Sequence, residues 1–110
     1  MPFGHPHLRA EQVERRRAVA SYFGLCSWLD HNVGQILEAL EQAGLAGSTN
    51  VVYTSDHGDN VGARGLWGKS NLYEESVAVP LLMAGPDIAP GVCHTPVSLL
   101  DLSATIPAQF

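Results

Sequence analysis

The stretch that decides the fold is Val51-Val52-Tyr53-Thr54-Ser55-Asp56-His57-Gly58-Asp59, in which an apolar run leads directly into a polar turn. The run from Val51 to Thr54 is rich in β-branched and aromatic residues, which predicts a short strand. Because the run is almost continuously apolar, the strand suits a parallel sheet that is covered on both faces. Gly58 ends the strand and lets the backbone turn. We therefore expect an α/β fold with a polar turn at the carboxyl end of this strand.

A long amphipathic helix is predicted upstream, from about Glu11 to Gln42. Its apolar residues recur at steps of three and four, which places them on one face. These residues are Val19, Tyr22, Phe23, Cys26, Leu29, Val33, Ile36, Leu37 and Leu40. Gly44 suits the C-terminal cap of this helix. Gly24 is the position at which the helix could kink.

Three further elements are predicted downstream of the first strand. Residues 71–74 resemble a capping box that opens a short helix, residues 79–84 read as a second strand, and Asp101 can cap a last helix through Thr105. The order of helices and strands is an α/β pattern. A parallel sheet needs more strands than two to cover its edges, so the chain is expected to be part of a larger body.

Asp56 and His57 are the first candidate site residues, because ligands of open α/β sheets bind beyond the carboxyl ends of the strands. A carboxylate oxygen and a neutral imidazole nitrogen together suit a divalent cation. The alternative is an acidic turn in which Asp56 bonds only its own backbone. Both interpretations stay open on spacing alone.

Lys69 is the second candidate, because it follows a glycine-rich stretch and could reach back to an anion held on the metal. The alternative is a solvated surface lysine. The segment 63–70, Ala-Arg-Gly-Leu-Trp-Gly-Lys-Ser, also comes within one residue of the P-loop pattern. A P-loop joins a strand directly to a helix, and here a polar loop follows the strand, which disfavours a nucleotide site.

Composition, net charge and the length of apolar runs limit the classes of protein to which this chain can belong. The chain has 110 residues, 45% of them hydrophobic and 15% charged, which is typical of one globular domain with a modest core. The net charge of −5 disfavours nucleic-acid binding, and the run Arg15–Arg17 reads as a solvated helix face. No apolar run is long enough to span a membrane, and no signal peptide is visible, so a cytoplasmic location is expected, with an upstream signal left open. Cys26 and Cys93 read as buried free thiols.

The order of several motifs resembles the second half of the sulfatase family, within the alkaline phosphatase superfamily. The matching segments are residues 22–24 and 30–34 in the helix, 54–59 after the strand, 65–69, 73–76, 79–81 and 96–102. The resemblance extends from about Glu14 to nearly the end of the chain. It implies that residues 1–110 are a partial catalytic domain without its N-terminal half. The implied fold is a fragment of an alkaline-phosphatase-like sandwich, with a mostly parallel central sheet flanked by helices.

The same resemblance implies roles for three residues. Asp56 and His57 would be metal ligands, with Ca²⁺ as the expected ion and Mg²⁺, Mn²⁺ or Zn²⁺ as alternatives. Lys69 would bind the sulfate group of a small-molecule sulfate ester. His57 stands where many sulfatases have Asn, which is similar to the choline-sulfatase and phosphonate-monoester-hydrolase branches. Hydrolysis of a sulfate ester is therefore expected, and a phosphonate monoester hydrolase or phosphodiesterase is the nearest alternative.

The sequence departs from the family at the nucleophile. Sulfatases use a cysteine in C-x-P-x-R that is oxidised to formylglycine, and neither Cys26 nor Cys93 fits that pattern. The family's N-terminal pair of aspartates is also missing. His5 or His7 could echo a substrate-binding histidine, although both lie close to the long helix. We therefore expect no catalytic nucleophile in this chain and no activity of the chain alone, and a non-catalytic relic remains a further alternative.

Overall fold

The computed structural model describes residues 6–86 and 88–109. Its helices and strands are α1 (Pro6–Gln42), β1 (Val51–Thr54), α2 (Glu74–Val77), β2 (Leu81–Ala84) and α3 (Leu99–Thr105). Three short 3₁₀ turns lie at Ala46–Ser48, Ala63–Gly65 and Pro107–Gln109. The α/β order expected from the sequence is confirmed in these residues. His5 lies outside the described residues, and His7 lies in the first turns of α1.

Helix α1 is one continuous helix of 37 residues that passes through Gly24 without a break. Its end is set by Gly44, which has a φ of 71°. The Gly44 amide donates to the Glu41 carbonyl at 2.9 Å, and the Leu45 amide donates to the Leu40 carbonyl at 3.1 Å. These two bonds are the Schellman pattern, so the predicted cap is confirmed. No described helix is long and apolar enough to cross a membrane.

Helix α2 begins later than the sequence indicated. The capping box predicted at Asn71 does not form, because α2 starts at Glu74 and its N-cap is Tyr73, without a side-chain hydrogen bond. Asn71 instead accepts the Tyr73 amide at 3.0 Å, which is an Asx turn. At α3 the capping box is present: Ser98 accepts from the helix, and Asp101 accepts the Ser98 amide at 2.7 Å.

Strands β1 and β2 pair antiparallel, with Val51 opposite Ala84 and Thr54 opposite Leu81. The intervening residues 55–80 stay at the carboxyl end of β1, so the chain enters β2 from that end and runs back along β1. The Thr54 hydroxyl donates to the Pro80 carbonyl at 2.7 Å and holds this junction. The described residues contain only this two-stranded sheet and no parallel pair. The mostly parallel central sheet therefore stays a prediction.

The expected modest core is not found. No hydrophobic residue among the described ones is buried, and the radius of gyration is 19.4 Å. A compact domain of this length would have a radius of about 13 Å. The reason is α1, which is about 55 Å long at 1.5 Å per residue and extends beyond everything that could cover it. Large apolar side chains that remain exposed include Phe23, Leu25, Trp28, Ile36, Leu72, Leu82 and Val92.

The apolar face of α1 and the two strands line an open groove of about 490 Å³. Cys26, Leu29 and Val33 line it from the helix, and Tyr53 and Leu82 line it from the sheet. Both cysteines are free and exposed, which corrects the expectation of buried thiols. Cys26 is exposed because no described residue covers the apolar face of α1 on which it lies.

We expect residues 1–110, expressed alone, to self-associate. Both strands of a two-stranded sheet are edges with unpaired backbone groups, and the apolar groove beside them is open. Size-exclusion chromatography should therefore give broad or void-volume elution, together with strong binding of a hydrophobic dye. A sharp monomeric peak with a cooperative thermal transition would contradict this prediction.

Candidate functional site

The candidate site lies in the segment 55–78, which we call the site loop and which leaves the carboxyl end of β1. Asp56 and His57 are the first side chains of its turn. The structure brings them together: His57 Nε2 lies 3.6 Å from Asp56 Oδ2. The Asp56 side chain is 82% exposed and the His57 side chain 37% exposed, so both are accessible to solvent.

The hydrogen bond of His57 fixes which ring nitrogen is free. Nδ1 lies 2.7 Å from the Gly58 carbonyl oxygen, and a carbonyl oxygen can only accept. Nδ1 therefore carries the proton, and in the neutral ring Nε2 keeps its lone pair. A second hydrogen bond, from the Ser55 hydroxyl to the His57 carbonyl at 2.8 Å, holds the turn. This arrangement is the usual one for a metal-ligating histidine, whose other nitrogen donates to a carbonyl or carboxylate.

The spacing of the pair fits a shared cation. A separation of 3.6 Å is too long for a hydrogen bond between Nε2 and Oδ2. It is close to the distance of about 3–4 Å between neighbouring ligand atoms on one ion, given metal–ligand bonds of about 2.0–2.6 Å. In the described part of the chain no third His, Cys, Asp or Glu joins the two. Asp56 and His57 would thus be two ligands of a larger set.

Asp59 and Asn60 make hydrogen bonds within the site loop. Asp59 Oδ1 accepts the Val61 amide at 2.7 Å and lies 3.3 Å from the Gly68 amide. Asn60 is 2% exposed, and both its backbone amide and its Nδ2 donate to the Gly68 carbonyl. Sequence reasoning missed Asn60, because its burial depends on the return of the chain at Gly68. Its Oδ1 is buried without a hydrogen-bond partner.

Lys69 has an exposed side chain on a backbone that is held in place. Its carbonyl accepts the Ser76 hydroxyl at 2.5 Å and the Asn71 amide at 2.7 Å. The Ser76 carbonyl in turn accepts the Gly58 amide at 2.9 Å. Lys69 and the turn after His57 therefore contact the same residue of α2, although they lie more than ten positions apart in the chain.

Gly58 is the point of closest approach between the turn and α2. A Cβ at this position would overlap the Glu75 carbonyl oxygen and come within 3.2 Å of the Ala78 carbonyl oxygen. Both obstacles are backbone atoms, which cannot move aside as a flexible side chain can. The glycine predicted to break the strand thus has a second role, since it lets the turn that carries Asp56 and His57 meet α2.

Arg64 and Glu75 form an ion pair across the site loop, and the Arg64 guanidinium lies 4.2 Å from the centre of the Tyr73 ring. Arg64 has a φ of 53°, in the left-handed region that non-glycine residues seldom adopt. The ion pair and the cation–π contact are two interactions that hold it there. Neither was visible in the sequence, because the partners lie eleven and nine residues away.

We expect Glu75 to titrate below the ordinary range of a glutamate. Its own backbone amide, and then the Arg64 guanidinium, lower the pKa of the carboxyl. The ionised Glu75 carboxylate therefore stabilises the folded state above the ordinary pKa of Glu, and this contribution is lost as pH falls through the lowered pKa. Arg64→Gln should move the Glu75 pKa upwards in a carbon-detected NMR titration, because the guanidinium that lowers it is gone. An unaltered Glu75 pKa in the variant would contradict the role of Arg64.

The basic run at the start of α1 is only partly a solvated face. Arg17 pairs with Glu14 at 3.2 Å on an exposed surface, as expected. Arg15, however, donates to the Gly62 carbonyl at 2.6 Å and ties α1 to the site loop. This contact corrects the expectation for Arg15. It could not be read from the sequence, because Gly62 lies 47 residues further along.

The site loop does not form a P-loop. The residues after Lys69 are not helical, and the next helix begins only at Glu74. The segment before Lys69 is occupied by a 3₁₀ turn at Ala63–Gly65 and not by a continuous phosphate cradle. A nucleotide-binding function therefore has no support in the described residues.

Comparison with known proteins identifies the same family that the motifs resemble. A family model described as Sulfatase matches residues 4–110. A choline-sulfatase of Rhizobium meliloti is 45% identical over 91 residues, which are 83% of this chain and 18% of that protein. Arylsulfatase K of Xenopus laevis is 43% identical over 96 residues, and a sulfatase of Formosa agariphila is 32% identical over 94. These two alignments cover 86% and 84% of this chain and 18% of each relative. The chain thus spans about a fifth of the length of these curated relatives.

Proposed function

Because this chain belongs to the sulfatase family, we propose that it forms part of a sulfuric ester hydrolase that acts by metal-assisted hydrolysis of a sulfate monoester. The family match covers residues 4–110, and relatives with sulfatase names align over more than four fifths of the chain. The chain corresponds to about a fifth of those relatives, so the activity is proposed for the native product that contains it.

The observation that carries this proposal is the pair Asp56 and His57. His57 Nε2 keeps its lone pair because Nδ1 donates to the Gly58 carbonyl, and Asp56 places a carboxylate oxygen 3.6 Å away. These two atoms would hold one divalent cation, with Ca²⁺ proposed first and Mg²⁺, Mn²⁺ or Zn²⁺ as alternatives. When bound, the ion would supply Lewis-acid polarisation of a sulfate oxygen. His57 serves as a ligand in this scheme and not as a proton donor, since its free lone pair is used.

Lys69 would supply a positive charge to the sulfate group. It is the sole lysine of the chain and its side chain is exposed, while its backbone is fixed by Ser76 and Asn71. A compact ammonium charge suits a sulfate oxygen. Its contribution would be largest when negative charge gathers on the transferring group, which is the general pattern of electrostatic catalysis.

The nucleophile is not proposed among these 110 residues. Neither Cys26 nor Cys93 stands in a C-x-P-x-R motif. The two ligands on the site loop also need partners from elsewhere, because no third ligating side chain joins them in the described residues. We therefore infer that residues 1–110 alone do not turn over a sulfate ester.

Substrate profiling of the native product tests the proposal. The names of the relatives make choline sulfate and an aryl sulfate the first compounds to try. A phosphonate monoester or phosphodiester is the necessary comparison, since the His57 position resembles the phosphonate-hydrolase branch as well. We expect kcat/KM for at least one sulfate ester to exceed that for an aryl phosphonate. The reverse order, or no sulfate release from any ester, would refute the sulfatase assignment.

A further inference from the structure

We propose that Ser76 is a positioning residue that ties the sulfate-binding Lys69 to the turn carrying Asp56 and His57. The inference rests on the proposed function, because it assigns to Ser76 a role in that same site. The hydrogen bonds of Ser76 are to backbone groups, so it is proposed neither as a metal ligand nor as a substrate contact. Its effect would pass through the backbone of Lys69.

The burial and contacts of Ser76 carry this inference. The residue is 3% exposed, in a structure where no hydrophobic side chain among the described ones is buried. Its hydroxyl donates to the Lys69 carbonyl at 2.5 Å, and its own carbonyl accepts the Gly58 amide at 2.9 Å. One small residue thus bonds both to the backbone of Lys69 and to the backbone next to His57.

The two bonds of Ser76 depend on different atoms, which makes them separable. The bond to Gly58 uses the backbone carbonyl of Ser76, so it survives substitution of the side chain. The bond to Lys69 uses the hydroxyl and is the only side-chain hydrogen bond to the Lys69 backbone among the described residues. Removing the hydroxyl should therefore loosen Lys69 and leave the Asp56–Gly58 turn in place.

Ser76 itself is held in place by the hydrogen bonds and packing of α2. The Ser76 amide donates to the Tyr73 carbonyl at 2.8 Å, which closes the single turn of α2. Gly58 packs directly against the backbone of Glu75 on the same turn. On its other side, Lys69 follows Gly68, whose carbonyl accepts two bonds from Asn60. Without the Ser76 hydroxyl, the contacts that hold the Lys69 backbone within the described residues are those through Gly68 and the local bond to Asn71.

Ser76→Ala should lower kcat of the native product for its sulfate ester about tenfold, because a misplacement of about 1 Å can cost about 100-fold and a looser Lys69 is displaced less than that. Ca²⁺ affinity should stay within about twofold, since alanine keeps the carbonyl bond to Gly58. Ser76→Thr retains the hydroxyl and should recover most of kcat. Ser103→Ala on α3 is the control, because it removes an exposed hydroxyl that donates to the Leu100 carbonyl of its own helix, at 2.6 Å.

A double-mutant cycle separates positioning from general stability. In a Lys69→Ala background, Ser76→Ala should reduce kcat no further, because the group that it positions is gone. A structural role without positioning would instead give the same additional loss in both backgrounds. Equal effects in both backgrounds would therefore overturn the proposal, as would an unchanged kcat in Ser76→Ala.

Hydrogen exchange of the native product gives a readout that needs no substrate. In Ser76→Ala, amides of residues 68–71 should exchange faster, while those of residues 20–40 in α1 stay unchanged. Unchanged exchange at 68–71 would overturn the link between Ser76 and Lys69. If the wild-type product hydrolyses no sulfate ester, the proposed function fails, and this exchange pattern alone decides whether Ser76 holds Lys69.

Discussion

Lys69→Ala is expected to lower kcat/KM of the native product for its sulfate ester by about 100- to 1,000-fold, the usual loss when one preorganised charge-stabilising group is removed. Lys69 is the residue whose ammonium is proposed to contact the sulfate group, and its side chain is exposed. The loss should fall mainly on kcat, because the ammonium interacts most strongly with the charge of the transition state. Steady-state kinetics at fixed, saturating Ca²⁺ provides the measurement.

Arg16→Ala is the matched control for this prediction. It removes one positive charge from the exposed surface of α1. The control should leave kcat/KM within about twofold. A loss of less than about threefold in Lys69→Ala, or an equal loss in Arg16→Ala, would show that the sulfate group is bound elsewhere.

Gly58→Ala is expected to weaken Ca²⁺ binding of the native product at least tenfold and to lower its thermal stability. A methyl group at this position overlaps the Glu75 carbonyl oxygen, so either the turn or α2 must move. Forcing such a group into a closed contact costs about 1–3 kcal/mol. His57 is the adjacent residue and its Nδ1 bonds to the Gly58 carbonyl, so its ring should lose its orientation as well. Calorimetric titration with Ca²⁺ and a thermal melt measure the two effects.

Gly34→Ala serves as the control for this backbone argument. Gly34 lies in α1, and a Cβ there would meet no atom within 4 Å. Alanine should stabilise the helix by about 0.5–1 kcal/mol and leave Ca²⁺ affinity unchanged. If Gly58→Ala bound Ca²⁺ as tightly as the wild type, the close packing of the turn against α2 would not matter for the metal.

The local elements of this protein could be predicted because they depend on near neighbours. The three- and four-residue steps of apolar side chains predicted α1, and the run Val51–Thr54 predicted β1 to the residue. Gly44 could be predicted as the cap of α1 because glycine adopts a positive φ without steric cost. Asp56 and His57 could be chosen as candidate site residues because they directly follow β1, and ligands of open α/β sheets bind beyond the carboxyl ends of the strands.

The long-range contacts could not be predicted, since they depend on where the chain returns. Ser76 and Asn60 look like ordinary polar loop residues in the sequence, yet they are the two buried polar side chains of the structure's described residues. Arg15 reads as part of a solvated run until Gly62 comes into reach. The partner of β1 is equally invisible, because the antiparallel pairing with β2 depends on the path of residues 55–80.

The missing core shows how a correct local pattern can mislead about burial. The amphipathic face of α1 is present as predicted, and the β1 and β2 side chains face it across an open groove. Nothing within the described residues fills that groove, so the apolar side chains stay exposed. The apolar pattern therefore predicted the helix but not what covers it.

The most direct measurement of the central claim is metal content together with sulfate release, for the native product and its Asp56→Ala variant. We predict that the wild type binds a divalent cation, loses sulfate release on chelation and regains it with Ca²⁺. Asp56→Ala should lose most of both, while Asp30→Ala, an acidic residue of α1 outside the site loop, should keep them. Sulfate release that resists chelation, or Asp56→Ala with full metal content and full turnover, would contradict the assignment of Asp56 and His57 as the metal ligands of a sulfatase.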